Sequence, residues 1–392
     1  MPSAIELLHI TKRYPGVIAN DDVSIRIGQG EIHGLIGENG AGKSTIMSIL
    51  YGMVKPDEGT IKIFGQECEI SSPMDAIRRG IGMVHQHFML MPDETVLRNI
   101  ILGRTPRRGL SIDETRAARE ITEIMDRYSL KVDLGAKISQ ISVGEKQRVE
   151  ILKALYRQGK ILTLDEPTAV LTPQEIDELM QIMKSLAAEG KSILFISHKL
   201  NEIMTVSDRI TVLRKGKYIG TVETKDTDKQ ALSNMMVGRP VQLEGNKSEA
   251  KPGEVVLQVK ELRVPSKLHK KDAVQGVSFS VRAGEIVCLA GIDGNGQSEL
   301  IYGLTGLEKC SGGSITLCGE EISHTSIRKR LKNISHIPED RHKHGLVLDF
   351  TLEQNMVLQR FQEPKFQKFG FIKQDAVRSY AEVLIDQYDV RS

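Results

Sequence analysis
The sequence predicts an α/β fold: a sheet core flanked by helices, preceded by an antiparallel β subdomain, interrupted by a helical subdomain, and begun a second time further along the chain. Three observations predict it. An apolar strand, a glycine loop and a helix follow one another between Glu31 and Tyr51. Two more apolar strands, 161–165 and 192–197, run directly into ionisable residues. The pattern around the first glycine loop recurs at an offset of 254 residues, from position 37 to position 291.

Composition sets the outer limits. At 392 residues the chain is too long for one ordinary domain. With 40% apolar and 27% charged residues it reads as globular, and a net charge of +2 gives no electrostatic reason to expect nucleic acid as a partner. No apolar run approaches the roughly 18 residues of a membrane span, and Met1 to Glu6 lack the basic-then-apolar pattern of a secretion signal, so the chain is expected in the cytoplasm. Cys68, Cys288, Cys310 and Cys318 form no C-x-x-C pair and carry no metal hypothesis.

Taken in order, Ile5 to Ile27 alternates apolar runs with turns, which predicts two antiparallel strands. Between them stands Tyr14. It reads as a loop tyrosine or, given a nucleotide nearby, as a stacking face for adenine. Glu31 to Ile36 is a buried strand, and Gly37-Glu38-Asn39-Gly40-Ala41-Gly42-Lys43-Ser44-Thr45 fits G-x-x-x-x-G-K-[ST] at every position before a helical run. Glycines let backbone N–H groups converge on a β-phosphate at a helix N-terminus. Lys43 is then placed for the β- and γ-phosphates and Ser44 for Mg²⁺.

Strands are predicted over Gly59–Gly65 and Ile81–His87, the second ending at Gln86, a candidate for Mg²⁺ and the attacking water. From about 89 to 150 the pattern is helical, with Ala117, Ile121, Ile124 and Met125 on one face. Ser142-Val143-Gly144-Glu145 leads into a helical run over Val149–Tyr156, a second anion-binding helix start. The strand 161–165 ends in Asp165-Glu166, two adjacent acids that are costly to bury without a balancing cation. A magnesium nucleotide supplies one, which makes Asp165 a direct or second-sphere Mg²⁺ carboxylate and Glu166 the general base toward water. His198 follows the strand 192–197, placed to hold γ-phosphate, water and Glu166 in line.

In this order the loop, Gln86, Ser142 to Glu145, Asp165-Glu166 and His198 resemble the five core motifs of the ATP-binding subunits of ABC transporters. Gly82 to Leu90, Arg148 to Tyr156 and Ala169 to Pro173 are similar to bacterial importers of the simple-sugar and nucleoside class, most of all the purine-nucleoside members. The resemblance implies a RecA-like sheet core, ATP and Mg²⁺ as ligands, two integral-membrane permease subunits, an extracytoplasmic binding lipoprotein, and a peripheral place on the cytoplasmic face of the membrane. Val143, Glu145 and Thr172 depart from the general pattern, where Gly, Gln and Asp are usual.

The expected division is a first ATPase domain over 1–238, a linker over 239–254 poor in apolar periodicity, and a second copy over 255–392. In the copy, Gly291, Gly296 and Ser298 keep the loop, but Gln297 replaces the lysine, and Glu339-Asp340 stand where the first half has Gln86. Tyr388 to Ser392 aligns with about Tyr128 to Val132, so the copy is expected to stop before its own signature, acids and histidine. One alternative is an inactive nucleotide-binding fragment with little turnover of its own, and the other is a soluble tandem ABC protein acting on ribosomes or nucleic acid. The latter predicts a long charged linker, two intact loops and basic patches, and the linker, Gln297 and net charge disfavour it.

Overall fold
The computed structural model describes residues 2–85, 88–109, 111–168, 171–241, 250–266, 271–291, 294–340 and 344–390. Two compact units divide the chain, Met1–Gly245 and Asn246–Ser392.

The first unit opens with antiparallel strands β1 (Ser3–Tyr14) and β2 (Val17–Gly28). Strand β3 (Ile32–Ile36) leads through the glycine loop into α1 (Lys43–Leu50). Then come β4 (Glu58–Ile63), β5 (Gln66–Cys68), α2 (Pro73–Arg78) and β6 (Ile81–Val84). Helix α3 (Val96–Ile101), the hairpin of β7 (Arg107–Arg108) and β8 (Ser111–Ile112), α4 (Glu114–Tyr128) and α5 (Val143–Tyr156) form the inserted stretch. The unit closes with β9 (Ile161–Asp165), α6 (Pro173–Ala188), β10 (Ser192–Ile196), α7 (Leu200–Val206), β11 (Arg209–Arg214), β12 (Lys217–Glu223) and α8 (Lys229–Val237).

Two sheets result. The antiparallel one has the order β2-β1-β4-β5, and the other β12-β11-β3-β10-β9-β6, parallel from β11 to β6. Strands β3, β6, β9 and β10 are buried at every residue, which is why each is a short apolar run rather than an alternation. One face of the parallel sheet shares a core with the antiparallel sheet and α1, through Ile46, Met47, Leu194 and Ile196. The other face packs on the helical insert, where Ala117 and Ile121 of α4 are buried and Ile124 and Met125 pack against the same core. Parallel order puts the C-terminal ends of β3, β9 and β10 side by side, the edge where such sheets bind ligands.

Three local differences from the sequence reading have physical causes. Helix α5 starts at Val143 rather than near Val149, because Ser142 and Glu145 form a reciprocal capping box that adds a polar first turn. The stretch after Met89 carries helices α3, α4 and α5 separated by loops and by the β7–β8 hairpin rather than one continuous helical pattern. Strand β6 stops at Val84, and Gln86 lies outside the described residues.

The second unit contains β13 (Val255–Pro265), β14 (Asp272–Arg282), α9 (Gln297–Thr305), β15 (Gly312–Leu317), β16 (Glu320–Glu321), α10 (Ile327–Arg330), α11 (Leu352–Val357), the pair β17 (Gln367–Lys368) and β18 (Phe371–Ile372), and α12 (Gln374–Tyr388). The sheet order β14-β13-β15-β16 repeats β2-β1-β4-β5 over a core of Val259, Leu262, Val264, Leu300 and Ile315. Among the described residues this unit has no parallel sheet. The equivalents of β3 and β6, residues 286–290 and 334–337, form no strand, and Ile286 is 95% exposed. In the first unit β10 and β9 stand between β3 and β6, so these two strands cannot pair with each other directly.

Candidate nucleotide site
The glycine loop joins the end of β3 to the start of α1. Gly42 sits before the helix at φ 94°, with no side chain capping the first turn, so backbone N–H groups there stay available to an anion. A Cβ on Gly42 would lie 2.3 Å from the Ala19 carbonyl oxygen and 2.4 Å from Asn20 Nδ2, which makes glycine obligatory on two counts, φ and space. Buried Asn20 donates through Nδ2 to the Gly42 carbonyl at 3.2 Å and thereby pins the loop to β2. Nothing in the local sequence marked Asn20, since its role arises only when β2 and the loop meet. Glu38, Asn39 and Gly40 are exposed, Ala41 is buried, and Ser44 and Thr45 occupy the helix start with Ser44 exposed.

Lys43 is only 7% exposed and donates through Nζ to the carbonyls of Gly37 at 2.8 Å and Glu38 at 3.0 Å, curled back over its own loop. Burial pulls its ammonium pKa down, and the charges of Glu166 and Asp165 pull it back up. Asp165 ends β9 with 8% exposure; burial pushes its carboxyl up, the neighbouring Glu166 charge adds to this, and Lys43 opposes it. Glu166, the next residue, adopts φ 47°, a left-handed conformation uncommon outside glycine, and its N–H donates to the Ile196 carbonyl of β10 at 3.0 Å. That bond brings the ends of β9 and β10 together. His198 Nδ1 stands 3.4 Å from Glu166 Oε1. The structure therefore gathers Lys43, Asp165, Glu166 and His198 around one sheet edge.

The other expected residues lie elsewhere or beyond description. Tyr14 ends β1 and is 42% exposed, with Lys12 Nζ 5.7 Å from its ring centre. Lys12 pairs across the hairpin with Asn20, so Tyr14 lies two residues beyond the strand position that holds the loop. Ser142 caps α5, accepting from Glu145 N–H at 3.2 Å, while Glu145 accepts from Ser142 N–H at 2.8 Å. Gly144 packs so closely on α6 that a Cβ would stand 1.8 Å from Glu175 Oε1. Thr172, in place of the usual Asp, caps α6 with Glu175 in a second capping box. In the second unit Gly296 keeps φ 89°, a Cβ on Gly291 would lie 2.2 Å from Gln297 Nε2, and Ser298 Oγ donates to Glu339 Oε2 at 3.4 Å.

No cluster of three or more His, Cys, Asp or Glu able to hold a metal occurs among the described residues. The donor set fits an ion that brings most of its own ligands as phosphate and water, with Asp165 and the Ser44 hydroxyl as protein oxygens. A buried carboxyl pushed up by burial and by a like charge is one that a bound cation would stabilise.

A family model described as ABC transporter matches residues 20–169 and 274–389. The chain belongs to this family and is an ABC transporter ATPase. The nucleoside import ATP-binding protein NupA of Lactococcus lactis subsp. cremoris is 50% identical over 390 residues, which cover 99% of this chain and 77% of that protein. The guanosine import ATP-binding protein NupO of Bacillus subtilis is 50% identical over 393 residues, covering 100% of this chain and 77% of that protein. Among solved structures, an ATP-binding cassette of an ABC transporter superposes with a TM-score of 0.56 at 25% identity, covering 62% of this chain and all of that one.

Proposed function
We propose that this chain is the ATP-hydrolysing subunit of a nucleoside importer, bound at the cytoplasmic face of the membrane to two permease subunits that receive substrate from an extracytoplasmic lipoprotein. The observation that carries the catalytic part is the Glu166–His198 pair beside buried Lys43 at the ends of β9, β10 and β3. The names of the relatives carry the substrate class.

In this reading the α1 N–H groups hold the β-phosphate, and Lys43 leaves the Gly37 and Glu38 carbonyls for the β- and γ-phosphates. Tyr14 stacks on adenine. Ser44, Asp165 and Gln86 would hold Mg²⁺, which neutralises phosphate charge. Glu166 takes the proton of the attacking water, and His198 steadies Glu166 and the γ-phosphate. Ser142 and Gly144 close on the nucleotide of a facing domain. The domains run over 1–238 and 255–392. A cleft of about 300 Å³ beside α5, lined by exposed Met53, Met89 and Leu102 with Arg157, offers a permease segment an apolar seat. Nucleotide-driven closure is thus coupled to the permease as a shift of population.

Uptake of radiolabelled guanosine and ribose by source cells carrying Glu166→Gln tests the whole reading. Loss of guanosine uptake, with ATP binding to the purified chain retained, is expected. Loss of ribose uptake alone would assign the sugar class instead, and unchanged uptake of both would remove the importer function.

A further inference from the structure
Glu202 on α7 is a buried carboxylate, 7% exposed, that the reaction outlined above does not use. Burying an ionised carboxylate is costly unless donors surround it. Three do, and they come from both strand exits. Thr168, two residues beyond Glu166, donates Oγ1–H to Glu202 Oε2 at 2.6 Å. Ser197, just before His198, donates Oγ–H to the same oxygen at 2.9 Å. Lys199, just after His198, places Nζ 3.1 Å from Glu202 Oε1 and also donates to the Thr168 carbonyl at 3.1 Å. The Lys199 N–H donates to Ser197 Oγ at 3.0 Å, closing the ring. His198 is therefore braced on both sides by neighbours bound to one carboxylate, and that carboxylate also holds the segment leaving Glu166.

We propose that Glu202 is a positioning residue that fixes the separation of Glu166 and His198. The inference rests on the reading of Glu166 as the base. A left-handed, non-glycine conformation such as that of Glu166 persists only where its surroundings over-determine it, and the Glu202 ring supplies such surroundings. Misplacement of reacting groups by a fraction of an ångström to an ångström costs roughly tenfold to a hundredfold in rate.

The test uses the full chain with MgATP. Glu202→Ala is expected to lower kcat by about tenfold or more with KM changed by less than about twofold, while Glu202→Gln, which still accepts from both hydroxyls but turns its amide NH₂ toward Lys199 Nζ, recovers part of the loss. The histidine signal of His198 in NMR spectra, assigned with His198→Ala, should move in both Glu202→Ala and Glu166→Gln. A signal that moves in Glu166→Gln but stays in place in folded Glu202→Ala would overturn the inference and leave the base standing. Wild-type turnover in Glu166→Gln would instead overturn the reading of the base. Loss of kcat only in proportion to lost folded protein, measured by thermal unfolding, would reduce Glu202 to a packing residue and overturn the proposal.

Discussion
Replacing Asp165 by Asn should stabilise the nucleotide-free protein while weakening its response to magnesium. Asp165 is 8% exposed, adjoins the carboxylate of Glu166, and has Lys43 as the cation opposing the shift. Its carboxyl is raised above the ordinary value of 3.8 by burial first and by Glu166 second. The folded state therefore holds the proton to higher pH than the unfolded chain does. Stability from this group is complete at low pH, falls as pH rises through the unfolded carboxylate range, and is fully lost above the raised folded value. At neutral pH Asp165 is a net cost. An isosteric neutral residue removes it and leaves Lys43 to balance Glu166. Single stabilising substitutions, charge optimisation among them, commonly yield about 0.5–2 kcal/mol, which for a unit of this size is roughly 1–8 °C in Tm. Differential scanning calorimetry at pH 7.5, with and without ATP and Mg²⁺, measures both effects. The variant should melt higher when free and gain less than wild type from Mg²⁺ added over ATP. A lower free Tm, or an undiminished Mg²⁺ increment, would refute the charge argument.

Lys43→Ala removes the charge-assisted bonds expected to the phosphates, each worth about 1.5–3 kcal/mol, so Kd for a fluorescent ATP analogue should rise by roughly tenfold to a hundredfold; a Kd within about twofold of wild type would contradict the placement. Gly144→Ala gains helix propensity of about 0.8–1 kcal/mol but drives Glu175 off its cap on Thr172, whose loss costs about 1 kcal/mol. The two nearly cancel in the wild-type background. In Glu175→Ala the same change should stabilise, and equal effects in both backgrounds by urea unfolding would rule out the contact.

How far the site could be read in advance depended on whether each residue's role is local. The loop was legible because its function follows from spacing along one strand-turn-helix unit. Asp165-Glu166 and His198 were legible as ends of apolar strands, but their meeting depends on the order β3-β10-β9, which no hydrophobic period encodes. Asn20 and Glu202 were missed for the same reason: each is a polar residue whose partners lie across the fold. The start of α5 was missed despite a signal. Ser142-Val143-Gly144-Glu145 is a capping-box sequence, but the apolar period that suggests a helix becomes clear only after it. Glu145 and Thr172, which depart from the family pattern, both keep a cap, so these departures preserve helix starts.

The second unit separates what a glycine loop owes to local chemistry from what it owes to the sheet. Gly296 keeps its left-handed turn before α9, and the Gln297 side chain folds back over Gly291 as Lys43 folds over Gly37, although residues 286–290 form no strand. The turn is thus a property of the glycines and the helix start. Charge is not inherited in the same way. The copy presents a neutral amide where the first unit presents an ammonium, and its loop hydroxyl, on Ser298, is bonded to the carboxylate of Glu339. Both changes work against a polyphosphate, the first by removing attraction and the second by adding repulsion. The Asp165-Glu166 pair, by contrast, is tolerable in the first unit because Lys43 stands opposite. A lysine restored at position 297 would therefore recover only part of the first unit's affinity, since the acid at 339 would still face the phosphates.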